Sequence, residues 1–314
     1  VSFTEDTVQS TVNELERVKK AYNQLSVTGT LHSKLLLIEG TNGLTVNNGG
    51  VFDNNYYNVS GSGETATLNT SSIAGQGQTI MRNGTVNVKA GGQATLNNIY
   101  ADAGVMDVSG TLTFTVGGTV KSVTTRSAIR VLDGGTLKSK NINYTSCTPG
   151  TIENGGAIHV SNGSKASVTI DSDTFNLNKA GCGGAVEVDG GTTTIKNSTF
   201  TNNSATNAGG AIFTNGNSTS HPVLNVENCT FTNNSAYQGG AIFYCGGTDK
   251  SSISGSTFKG NRGLNNAYGG AISIQPYDGT STSGDNNEFV LDISETTFGS
   301  TKDAEQNRDS GGIN

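Results

Sequence analysis

The chain has 314 residues, with 44 Gly and no Trp; 32% are hydrophobic and 14% charged. So few large apolar side chains would leave a compact globule marginal, whereas a solenoid needs only a few Val, Ile or Phe in each turn. A net charge of −6 and a pI near 5.1 exclude the basic stripe that a nucleic-acid partner requires, and no apolar run of about 18 residues marks a membrane-spanning segment.

Residues 4–25 read as an amphipathic helix. Thr4 can N-cap it, Glu5 and Asp6 suit its positive end, and Lys19 and Lys20 suit its negative end. Val8, Val12, Leu15, Tyr22 and Leu25 fall on one stripe. Residues 1–26 are therefore expected to plug the open end of a β-coil or to pack against a neighbouring subunit.

Residues 27–143 read as irregular rungs, in strand-and-turn units such as Leu44–Gly50, Val86–Gly92 and Val131–Gly135. No linker, Pro-rich tract or charge run interrupts the chain, so residues 27–314 are expected to be a single solenoid. At roughly 25 residues per rung and a ~4.8 Å rise, it would be about 55 Å long.

From residue 144 a stricter repeat takes over. Gly-Gly-Ala-Ile (or Val) recurs at Gly155–Ile158, Gly183–Val186, Gly209–Ile212, Gly239–Ile242 and Gly269–Ile272, and Gly311-Gly312-Ile313 is a truncated copy. The spacings are 28, 26, 30, 30 and 42 residues. Phe-x-x-Asn precedes four copies, at Phe175/Asn178, Phe200/Asn203, Phe231/Asn234 and Phe258/Asn261. Such periods signal stacked units. Between motifs lie short alternating runs, Ala185–Val188 and Thr192–Ile195 for example, broken by Asp-Gly and Gly-Gly pairs. No run is long enough for a helix, which excludes βαβ units and leaves a coil of parallel strands. Parity turns Ile158/Val160, Val186/Val188, Ile212/Thr214, Ile242/Tyr244 and Ile272/Ile274 inward. The Phe residues should stack in a second column and the Asn residues in an amide ladder. Both columns are structural rather than chemical.

Gly-Gly-Ala-Ile with Phe-x-x-Asn resembles the repeat pair of polymorphic outer membrane proteins and related adhesin-like proteins, over about residues 144–314. The resemblance implies an all-β fold, a right-handed parallel β-helix passenger, and an extracellular, cell-surface location.

Sites of chemistry are sparse. His32, His159 and His221 stand in unrelated sequence contexts, the cysteines lack zinc spacing, and no calcium nonapeptide occurs. No metal or cofactor is expected. Asp171 and Asp173 form the closest acidic pair of the repeat region and read as turn residues. The Asp-Asp and Gly-His-Gly motifs of β-helical polysaccharide hydrolases are missing, so a lyase or hydrolase is the remote reading. Cys147, in the Asn place of Tyr144-Thr145-Ser146-Cys147, and Cys182, one rung later, are candidates for a disulfide. Sequons such as Asn83-Gly84-Thr85 and Asn228-Cys229-Thr230 permit glycosylation.

Phe213 and Phe243 hold one repeat position in consecutive rungs and should stack outward, as an interaction face or under a neighbouring loop. Residues 275–287 read as a polar surface loop. Gly311, Gly312, Ile313 and Asn314 stop partway into a repeat and are a candidate assembly end, because a bare rung invites strand addition. Two functions follow: a non-catalytic adhesin that binds other copies or a host or neighbour-cell ligand, and a structural subunit that stacks into an extracellular filament or sheath.

Overall fold

In the computed structural model the described residues are 24–299, apart from 34, 40–42, 55–57, 61–66, 70–76, 151–153, 164, 218–219, 247–249, 265–268 and 277–290. The chain coils through three ten-stranded parallel sheets. Each turn contributes one strand to each sheet, in the right-handed sense that parallel crossovers take. The first face runs from Gln24–Val27 to Ile272–Pro276, the second from Thr30–His32 to Leu291–Ser294, and the third from Leu35–Glu39 to Thr297–Phe298. Ten rungs at a ~4.8 Å rise span about 43 Å between first and last. The expected N-terminal helix lies outside the described residues except at its end, where a correction is needed. Gln24 and Leu25 pair in parallel with Gly43 and Leu44 as part of a strand. The next rung supplies open hydrogen-bonding partners there, and these outweigh a helical stripe.

The two halves differ in rung length for a visible reason. First-face strands begin 20 residues apart at Thr85 and Val105 but 30 apart at Ile212 and Ile242. The longer rungs add a strand between the third and first faces, giving a four-stranded corner sheet of Lys179–Cys182, Ser204–Ala208, Ser235–Ala236 and Arg262–Gly263. One first-half rung carries an excursion instead, the antiparallel hairpin Asn58–Ser60 and Thr67–Asn69.

Alternation puts one side of every strand inside the coil. Ile158/Val160, Val186/Val188, Ile212/Thr214 and Ile242/Tyr244 are buried there. On the third face Tyr144, Phe175, Phe200, Phe231, Phe258 and Phe298 stack in one column with ring centroids 4.6–5.0 Å apart. Below Tyr144 the register continues through Val120, Ala101 and Met81, so the aromatic column belongs only to the longer rungs.

The Asn of Phe-x-x-Asn turns inward at the following corner. Asn203 Oδ1 accepts from the backbone N–H and the Nδ2 of Asn178, each at 3.0 Å. Asn203 Nδ2 donates to the Phe175 carbonyl and to Asn234 Oδ1, also at 3.0 Å. Asn234 repeats the pattern toward Asn261. All four hydrogen-bonding positions of a buried amide are thereby used.

Gly-Gly-Ala-Ile closes the coil back to the first face. Gly209 takes φ +63°, a conformation that penalises any Cβ. Gly210 has another reason to be glycine: a Cβ would collide with the Gly240 carbonyl of the next rung. Ala211 and Ile212 both donate to the Ala241 carbonyl, at 2.8 and 3.0 Å.

Candidate functional site

The outward side of the first face carries one row of aligned side chains. Strand register aligns Asp107, Arg130, His159, Glu187, Phe213, Phe243 and Ser273 across successive rungs. At the lower end Asp107 binds Arg126 at 3.1 Å and Arg130 at 2.9 Å. At the upper end Phe213 and Phe243 stack with centroids 5.3 Å apart. Phe243 is only 6% exposed and Phe213 is half-buried, so the pair presents less apolar surface than its outward parity suggests.

The middle of the row is chemically distinct. His159 faces Glu187 in the next rung, and Asp189, two residues beyond Glu187, returns to the same side. His159 Nε2 lies 2.9 Å from Asp189 Oδ2. One donor atom from each of the three residues lies within 4.8 Å of the others. Glu187 is 0% exposed, although it sits on the outer side of its strand. Neither of its oxygens has a hydrogen-bond partner among the described residues, and neither does Asp189 Oδ1. Burial first, then the adjacent Asp189 charge, pushes the Glu187 carboxyl up to about 10.

From its sequence context His159 is linked to neither Glu187 nor Asp189; the structure brings the three together. His159 and Glu187 are 28 residues apart in the chain, yet both follow directly on the four-residue motif, in Gly-Gly-Ala-Ile-His and Gly-Gly-Ala-Val-Glu. Aligning the repeats on that fifth position would have exposed the column. Asp189 needed the strand's alternation as well. His221 is half-buried, and its Nδ1 lacks a partner among the described residues.

Asp171 and Asp173 do not form a site. The intervening Ser172 has φ +60°, and the two carboxyls point to opposite sides of the wall. Asp171 faces out, where Asn197 and then Ser172 and the neighbouring lysines hold its carboxyl below the usual range. Asp173 is buried and accepts from the Ile142 N–H at 2.7 Å and from Ser139 Oγ at 2.5 Å.

The proposed Cys147–Cys182 bridge is also corrected, because all four cysteines are free thiols. Cys147 stacks under Asn178, to whose Oδ1 its backbone N–H donates. Cys182 lies four residues further on, where its carbonyl accepts from Gly155 of the preceding rung. The added corner strand separates two residues that a simple rung count puts together. Burial pushes the Cys147 thiol up to about 12 and that of Cys229 up to about 11. The candidate assembly end, Gly311–Asn314, lies outside the described residues, as do residues 277–287 of the expected surface loop.

The rungs with the strictest geometry also match a known family. Residues 197–215 and 228–244 match the model of the Chlamydia polymorphic membrane protein (Chlamydia_PMP) repeat. These two stretches are similar to that repeat. Each matched stretch runs through the third face, the Asn corner and the Gly-Gly turn to the first face, the path that builds the Phe and Asn columns. No curated protein and no solved structure matches the chain. Together the repeat and the parallel β-helix support a surface-exposed repeat protein.

Proposed function

We infer that the protein is a non-catalytic, extracellular cell-surface β-helix that mediates adhesion or self-association. The observation that carries this reading is the polymorphic membrane protein repeat on rungs 197–215 and 228–244 of a continuous parallel β-helix. A coil of this kind spends its inward residues on the core and leaves its sides for recognition. The lateral first face supplies the contact surface, with Phe213 as its half-exposed apolar element. Glu187, the acid with the most perturbed environment on that face, is buried and out of reach of a polymeric substrate, which supports the non-catalytic reading.

Negative-stain electron microscopy and sedimentation of the purified chain, with binding of labelled protein to cell surfaces, test this. Isolated rods that bind cells saturably, or that pair side by side, are expected. Regular end-to-end fibres would replace the reading with a filament or sheath subunit. Turnover of polygalacturonate, with or without Ca²⁺, would overturn its non-catalytic part.

A further inference from the structure

We propose that His159, Glu187 and Asp189 bind a divalent transition-metal ion of the zinc class on the outer side of the first face. The proposal is independent of the adhesion reading. Parallel register and strand alternation bring one imidazole nitrogen and two carboxylates together, with donor atoms within 4.8 Å of one another. A second observation points to a ligand there. Glu187 is fully buried and aimed into the cluster, with both oxygens unpartnered among the described residues, and Asp189 Oδ1 is unpartnered too. Glu187 has no donor and Asp189 only His159, at Oδ2, so the facing carboxyl groups require either a shared proton or a cation between them. A cation would satisfy all three orphaned oxygens at once.

The donor set selects the metal. Imidazole suits zinc, copper, iron and nickel, whereas Ca²⁺ and Mg²⁺ take oxygen ligands. Three protein ligands leave one position of a tetrahedral site for water or a partner's side chain. The His159 side chain is 24% exposed, which provides an entry path. Because His159 belongs to one rung and Glu187 and Asp189 to the next, the ion would also tie two rungs together.

The test uses the full chain freed of metal by chelation. It is titrated with ZnCl₂ and, in parallel, CaCl₂ by calorimetry, and its thermal melting is followed with each ion. One equivalent of Zn²⁺ should bind and raise the melting temperature, and Ca²⁺ should do neither. His159→Ala and Glu187→Gln should each weaken Zn²⁺ binding at least about tenfold with unchanged circular dichroism. Co²⁺ should give tetrahedral d–d bands that both variants lose. If Glu187→Gln fails to fold, His159→Ala, at the exposed side of the cluster, carries the comparison. Absence of Zn²⁺ binding, or variants that bind as tightly as the parent, would overturn the site and assign the Glu187–Asp189 contact to a shared proton.

Discussion

Asn203 shows how much one side chain can settle in a stacked fold. Its amide serves the backbone and side chain of Asn178, the Phe175 carbonyl and Asn234. Asn203→Ala would leave several buried groups unpaired at once. A loss of roughly 3 kcal/mol is expected in chemical denaturation, against about 1 kcal/mol for Asn202→Ala, whose exposed side chain loses only its left-handed preference. Asp173 is a residue of the opposite kind. Burial raises its carboxyl from 3.8 to about 7, against the opposing hydrogen bonds from Ser139 and Ile142. The folded chain therefore holds this proton more tightly than the unfolded chain does. Its contribution is complete below about pH 4 and is lost as pH rises through 7. Asp173→Asn should flatten the fall in stability between these values, as read from melting temperature against pH.

At the scale of the element, the corners decide the coil. Each regular third-face strand is bracketed by left-handed residues five apart, such as Asn197 and Asn202, or Asn228 and Asn233. Asn tolerates that conformation because its short polar side chain bonds locally. Leu177 holds the same corner with φ +58° and is 52% exposed. It carries the backbone strain without a packing return, so Leu177→Asn should raise stability by about 1 kcal/mol. The Gly-Gly corner is stricter. Gly210→Ala must push the next rung away and should cost roughly 3 kcal/mol. Gly134→Ala, which meets only open space, should lose about 1 kcal/mol to its positive φ. Equilibrium unfolding of the pair checks the difference.

The whole molecule is a one-dimensional array in which a rung touches only its neighbours. Outward charges alternate along the second face, Lys140, Asp171, Lys196 and Glu227, with cross-rung contacts of 3.8 Å and 3.2 Å at its two ends. Exposed pairs of this kind add little stability, but they keep like charges from stacking. Stability should then follow position in the stack. Amide hydrogen exchange is expected to be slowest in central strands such as Ile129–Val131 and Ile158–Val160. It should be faster at Leu291–Ser294, whose side chains are at least partly exposed. Uniform protection along the rod would contradict a nearest-neighbour array.

The sequence by itself determined the parallel coil, the inward Ile and Val columns and the Phe and Asn positions. A period of 26–30 residues repeats one local solution, and alternation assigns the sides. Only the tertiary structure decided what the outward residues do. Register across rungs brings His159 to Glu187 and Asp189, and the extra corner strand parts Cys147 from Cys182. The packing around the first face also buries side chains such as Glu187 and Phe243, whose strand parity points them to solvent. Parity reports which side of a strand a residue leaves from. What covers it there depends on residues far along the chain, which the repeat pattern does not encode.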